Sequence, residues 1–221
     1  MNPASWRTYL VTQASLSGDR STPEIVREAI DGGVDVVQLR EKGSSARSRY
    51  ELGHELRELT ADAGVDLIVN DRIDIASAID ADGVHVGQSD LPISAARDLL
   101  GSDAIVGCST STVAEARTAE TEGADYLGVG AVYGTSSKAV ADEKDGIGPE
   151  RIARIADAVS IPLVGIGGIT ADNAGPVVEA GAAGVAVISE ITTATEPRVA
   201  TETLAAAVET PKAVDTGTFS E

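Results

Sequence analysis

The sequence predicts an α/β protein built as a single (β/α)8 barrel of the TIM type, with its active site at the C-terminal ends of the strands. Three observations carry this expectation. Eight short apolar runs alternate with eight amphipathic segments. Glycine-bearing junctions recur between segments and the runs that follow them, and polar or glycine residues follow the runs at the end where such barrels hold their chemistry. Alternation also suits a doubly wound open sheet, so closure is left to the tertiary structure.

The expected strands are 8–11, 34–37, 66–69, 83–86, 104–107, 126–129, 162–165 and 184–187. Thr8-Tyr9-Leu10-Val11, Val34-Asp35-Val36-Val37 and Asp66-Leu67-Ile68-Val69 are short and rich in branched side chains, as a strand covered on both faces requires. The later runs repeat that composition, ending with Gly184-Val185-Ala186-Val187. Helices are expected over 23–31, 45–63, 72–79, 93–100, 112–122, 149–158, 171–179 and 198–208. Thr22 before Pro23 and Glu24, and Thr170 before Ala171 and Asp172, place capping hydroxyls at helix starts. Asp31-Gly32-Gly33, Ala63-Gly64, Glu122-Gly123 and Ala180-Gly181 are C-terminal glycines leading into the next strand. Residues 1–209 form one catalytic domain on this reading. Residues 210–221 lack periodicity and are expected to be a disordered tail.

A chain of 221 residues with 43% hydrophobic content can bury a sizeable core. Its formal charge of −18, from 35 acids against 17 bases, argues against nucleic-acid or anionic-membrane partners. It leaves small anionic substrates open, because a local cluster of cations or a metal overrides the global field at close range. The acidic composition suits a protein kept soluble in high salt, which a stability curve in molar salt would check. One cysteine, Cys108, excludes an intrachain disulfide and a cysteine zinc cluster; its apolar neighbours make it a buried residue. No apolar stretch approaches the roughly 18 residues that span a bilayer, and the start lacks a signal-peptide pattern. A cytoplasmic protein is expected, with the oligomeric state open and a homo-oligomer among the options.

Polar residues just past each expected strand carry the candidate chemistry. After the second come Gln38, Arg40, Glu41 and Lys42. Arg40 offers a planar fork of donors and Lys42 a compact ammonium, a pairing suited to phosphate or pyrophosphate oxygens. A strand end running into solvent accounts equally for that run taken alone. Asn70 and Asp71 follow the third strand, Gln88 and Asp90 the fourth, Ser109 and Thr110 the fifth, and Tyr133, Thr135, Ser136, Ser137 and Lys138 the sixth. Asp71 and Asp90 beside the two cations suit a magnesium ion, which keeps several waters and takes its remaining ligands from substrate phosphates. Each acid alone is explained as readily by capping the next helix. Gly165-Ile166-Gly167-Gly168, with Ile188-Ser189, fits the phosphate site that barrels form after strands seven and eight.

The histidines add little: His54 reads as a helix-surface residue and His85 as a satisfied barrel histidine. No Ser-His-Asp set or nucleophilic cysteine arrangement is present. Trp6, the only tryptophan, reads as a barrel-floor plug.

The motifs Gln38-Leu39-Arg40-Glu41-Lys42, Val69-Asn70-Asp71, Asp82-Gly83-Val84-His85-Val86-Gly87-Gln88-Ser89-Asp90, Gly123-Ala124-Asp125-Tyr126, Thr135-Ser136-Ser137-Lys138 and Gly165-Ile166-Gly167-Gly168-Ile169 together resemble the thiamine-phosphate synthase family, also called thiamine-phosphate pyrophosphorylases. Their order and spacing hold from Tyr9 to about Ala207. The resemblance implies a transferase that joins 4-amino-2-methyl-5-hydroxymethylpyrimidine diphosphate to a thiazole phosphate, or its carboxylated form, in thiamine biosynthesis. It implies that Gln38, Arg40, Glu41, Lys42, Asn70, Ser109 and Lys138 hold the pyrimidine diphosphate, with Arg40, Lys42, Ser109 and Lys138 as the catalytic groups. Asp71 and Asp90 correspond to magnesium ligands. Thr135, Ser137, Gly168, Ile188 and Ser189 correspond to the thiazole phosphate pocket. The family commonly has Pro-Thr-x-Thr-Lys where this chain has Gly134-Thr135-Ser136-Ser137-Lys138; serine keeps the hydroxyl, and glycine in place of proline loosens the loop. A thiazole tautomerase would not need paired metal-binding acids. A phosphosugar isomerase would not need a second, cationic diphosphate clamp, and a sensor barrel would not need leaving-group activation.

Overall fold

Eight parallel strands close on themselves in the computed structural model, which describes residues 2–134 and 146–209. They are β1 (Thr8–Val11), β2 (Val36–Leu39), β3 (Asp66–Asn70), β4 (Gly83–Val86), β5 (Ile105–Thr110), β6 (Tyr126–Gly130), β7 (Leu163–Ile166) and β8 (Gly184–Val187). Strand order follows the chain, and β1 pairs with β8 through Tyr9 and Ala186, so the sheet is a barrel and not an open doubly wound array. The helices are α1 (Thr22–Asp31), α2 (Ala46–Ala63), α3 (Ile73–Ala78), α4 (Ile93–Leu100), α5 (Val113–Thr121), α6 (Pro149–Ala156), α7 (Gly175–Glu179), α8 (Ser189–Thr192) and α9 (Pro197–Val208). The expected tail, 210–221, lies outside the described residues, as do residues 135–145.

Four expectations are corrected. β2 begins at Val36 rather than at residue 34, because the Asp35 carboxylate turns back to accept the Arg7 and Thr8 N–H groups. Gln38 therefore belongs to the strand and is buried at 5% exposure rather than following it. The α1 cap is Ser21, one residue earlier than expected, in a capping box with Glu24. Thr170 caps nothing; Asn173 accepts its N–H at 2.8 Å, and the helix starts at Gly175. The short α8 was not expected at all.

Parity along each strand divides the core in two. Val37, Leu39, Leu67, Val84, Val106, Leu127 and Val185 point outward into a shell packed under the helices. Trp6, Tyr9, Val11, Val36, Ile68, Ile105, Tyr126, Val164, Ala186 and Ile188 fill the interior. Trp6 closes the floor as expected: it is 2% exposed, its indole N–H donates to Asp66 at 2.7 Å, and its ring meets Tyr9 and Tyr126 edge-on. The same parity carries Gln38, Asn70, His85 and Ser109 inward and upward, toward the strands' C-terminal ends.

Candidate active site

The barrel mouth holds a cavity of about 310 Å³. Lys42, Asn70, Asp71, Asp90 and Ser109 line one side, and Gly167, Gly168, Ile188 and Ser189 the other. A small chamber beneath it is lined by Tyr9, Gln38, Arg40, Asn70, His85 and Ser109. Asn70, Ser109, Gly128, Ile166, Ala186 and Ile188 border both spaces, so they form one continuous site. Among the candidate residues Gln38, Arg40, Lys42, Asn70, Asp71, Asp90, Ser109, Gly168, Ile188 and Ser189 are brought together there. Glu41 is not: its carboxylate accepts the Ala14 N–H with both oxygens, at 3.1 and 3.0 Å, tying the β1 loop to the β2 loop. Thr135, Ser137 and Lys138 lie outside the described residues.

The two acids do not cap helices. The N-cap positions are Arg72 for α3 and Pro92 for α4, each without a side-chain cap bond. Asp71 instead sits in left-handed backbone, φ 63°, a conformation that Asp tolerates better than most residues. Its carboxylate pairs with Lys42 at 3.1 Å and lies against that of Asp90. Asp90 is steadied by the Gly87 N–H at 2.7 Å. Burial pulls the Asp71 carboxyl up, but the hydrogen bonds with Asp90 and Lys42 and the Lys42 charge outweigh it and leave the group below the usual carboxylate range. Burial raises Asp90, and contact with Asp71 raises it further against the Gly87 hydrogen bond. Two touching carboxylates beside one ammonium call for a proton or a cation between them. Among the described residues no group of three or more His, Cys, Asp or Glu forms a metal cluster. Two adjacent carboxylates could serve magnesium, whose remaining ligands are ordinarily water and phosphate oxygens.

Arg40 is held by its backbone N–H to Thr12 Oγ1 at 3.0 Å and by its guanidinium to Gln13 Oε1 at 3.3 Å. Burial lowers its affinity for its proton, with Asp71 and Glu41 opposing that change, and it makes no ion pair with a described residue. An Arg so placed remains charged and has donors to spare for an anion. Across the cavity Gly167 and Gly168 take φ 106° and 63°, which brings bare backbone to the rim beside Ser189.

Further residues of the site were not foreseen from the strand-end rule. Ser111 and Glu115 line the cavity, and Glu115 accepts the Ser111 N–H at 2.7 Å; the Thr112-to-Glu115 capping-box spacing was the available signal. Gln88 donates to the Ser109 carbonyl at 2.7 Å, locking the β4 and β5 loops together.

A closed parallel barrel presenting paired acids, flanking cations and a glycine rim to one cavity at its C-terminal end defines a TIM-barrel enzyme that works on small molecules. Residues 8–191 match the family model described as thiamine monophosphate synthase, and the chain belongs to that family. It is 64% identical over 205 residues to a thiamine-phosphate synthase of Haloarcula marismortui, covering 92% of this chain and 97% of that one. It is 65% identical over 201 residues to that of Natronomonas pharaonis, covering 91% and 94%. Among solved structures, a thiamine phosphate pyrophosphorylase from Pyrococcus furiosus superposes with a TM-score of 0.84 at 40% identity, covering 93% and 96%. The protein is a transferase of thiamine biosynthesis with thiamine-phosphate synthase activity. No helix among the described residues is long and apolar enough to cross a membrane.

Proposed function

We propose that the enzyme condenses 4-amino-2-methyl-5-hydroxymethylpyrimidine diphosphate with a thiazole phosphate, or its carboxylated form, giving thiamine phosphate and pyrophosphate by a dissociative substitution. The observation that carries this reading is the Lys42–Asp71–Asp90 cluster on the same cavity as Ser109 and the Gly167–Gly168 rim. Asp71 and Asp90 would hold magnesium, which when bound would supply charge neutralisation for the departing diphosphate. Arg40 and Lys42 donate to that leaving group as its charge grows. Gln38 and Asn70, buried or half-buried beside the lower chamber, orient the aminopyrimidine, whose ring disperses the positive charge of its methylene as the C–O bond breaks. Gly168, Ile188 and Ser189 hold the second phosphate across the cavity. The thiazole nitrogen then attacks a partner already at contact distance, so positioning replaces a protein nucleophile. Thr135, Ser137 and Lys138 join these groups on the strength of the family motif.

The test is reconstitution from purified chain and the two substrates. Thiamine phosphate and pyrophosphate are expected in equal amounts with magnesium and neither in a chelator. Failure at both low and high salt with magnesium present overturns the reading.

A further inference from the structure

The barrel interior contains a hydrogen-bond chain whose two ends open into the site. Gln38 Nε2 donates to Tyr9 Oη at 2.7 Å. Tyr9 Oη lies 2.9 Å from Tyr126 Oη, Tyr126 Oη 2.9 Å from His85 Nδ1, and His85 Nε2 2.9 Å from Ser109 Oγ. Tyr9 and Tyr126 are almost fully buried. Burial pushes both phenols up, so each keeps its one proton.

A phenol has a single proton to give, so the chain can run in one of two senses, and the Tyr9–Tyr126 link sets every later one. In the first sense Tyr9 accepts from Gln38 and donates to Tyr126; in the reverse sense Tyr9 accepts from both and Ser109 donates to the imidazole. Under the first, Tyr126 accepts from Tyr9 and so donates to His85 Nδ1. An imidazole accepting at Nδ1 in its neutral form carries its proton on Nε2, which donates to Ser109 Oγ. The serine oxygen is then engaged as acceptor, and its own proton turns into the cavity, where among the described residues nothing receives it. A diphosphate presents only acceptors, so this sense is attractive toward it and the reverse sense would oppose lone pairs to its charge.

Room for the chain is built into the neighbouring strands. A Cβ on Gly107 would lie 2.2 Å from the Tyr126 ring and 2.6 Å from His85 Nδ1. One on Gly128 would lie 2.8 Å from His85 Cε1. Both positions face inward, and any side chain there displaces the imidazole or the phenol.

We propose that His85 is a positioning residue: oriented by Gln38, Tyr9 and Tyr126, it holds the Ser109 hydroxyl as a proton donor toward bound substrate. The proposal deepens the reading given above and rests on it for the identity of the acceptor, while the tautomer it requires does not depend on any substrate.

Two measurements test it on the full chain. The sequence has two histidines, so long-range proton–nitrogen NMR of nitrogen-labelled protein resolves both rings, and His54→Gln assigns them. In its neutral form His85 is expected to carry its proton on Nε2, and Tyr126→Phe is expected to mix the tautomers. A proton on Nδ1 in the unaltered chain, or a tautomer indifferent to Tyr126→Phe, overturns the proposal. In turnover assays Tyr126→Phe is expected to lower kcat/KM about tenfold, the size of one lost hydrogen bond, yet to have no further effect in a Ser109→Ala background. Multiplicative losses in the two variants overturn it. An unaltered chain that makes no thiamine phosphate defeats the functional reading, and the tautomer measurement still decides the proposal.

Discussion

The floor and the mouth of this barrel use the same residue type to opposite ends. At the floor, Asp35 accepts the Arg7 and Thr8 N–H groups, both at 2.9 Å. Asp66 accepts the Trp6 indole. Asp82 accepts the Leu67 N–H at 2.7 Å and pairs with Arg57. Asp125 accepts the Val106 N–H at 2.7 Å and pairs with Arg97. Each carboxylate there is engaged by the fold through one oxygen, and those of Asp35, Asp82 and Asp125 close the start of a neighbouring strand. At the mouth, Asp71 and Asp90 face each other and a single ammonium. Stability is located where acids are satisfied by the fold, and function where their bonding capacity is left for a ligand.

The sharpest way to break that contrast is the double substitution Asp71→Ala, Asp90→Ala. Activity is expected to fall at least about 100-fold, because under the proposed mechanism the charge developing on the leaving group would lose its counter-cation. The melting temperature is expected to move by no more than about 3 °C, since a repulsive contact is lost along with the Lys42 pair. Full turnover in the double variant would dissolve the distinction.

The converse substitution is Asp82→Ala, which orphans the Leu67 N–H and the Arg57 guanidinium. It is expected to destabilise the barrel by roughly 2–3 kcal/mol, read from the denaturant midpoint, with kcat for surviving folded protein unchanged. A large loss of kcat there would mean that floor and mouth are not separable.

Arg40→Lys asks whether the mouth needs geometry or only charge. Replacing a fork by a point charge is expected to raise KM for the pyrimidine diphosphate roughly tenfold without shifting the melt. An unchanged KM would reduce Arg40 to a general electrostatic contributor.

The smallest effect concerns the wall between the two regions. Burial pushes the Cys108 thiol from 9.0 up to about 11. The folded state thus holds the proton longer than the unfolded chain, and stability falls as pH rises from about 9 toward 11, in proportion to the difference in bound protons. Cys108→Ala is expected to remove that component, so denaturation midpoints of the two proteins should converge or cross between about pH 8 and pH 10.5. Parallel pH curves would place the thiol in contact with water.

Much of this architecture was legible because its signals are local. Seven strands fall within about two residues of their apolar runs, and the glycine junctions at Gly64, Gly123 and Gly181 do adopt positive φ. Where local reading failed, a long-range bond was responsible. Asp35 is drawn out of β2 by N–H groups at the start of β1. Glu41, in a motif of candidate binding side chains, is consumed by Ala14 across a loop. His85 was legible as a satisfied barrel histidine, but not its partners, because Tyr9, Tyr126 and Ser109 approach it only through the register of β1, β4, β5 and β6.

The sequence by itself determined the alternation of strand and helix, the side of the fold on which chemistry collects, and the residue types available there. Those are properties of period, composition and position relative to a strand end, and they need no distant contact to be expressed. The tertiary structure alone decided closure through the β1–β8 pair, the depth at which each inward side chain stands, and the contact of Lys42 with Asp71 and of Asp71 with Asp90. Parity within a strand tells which side chains point inward; only the stagger between strands tells which of them meet.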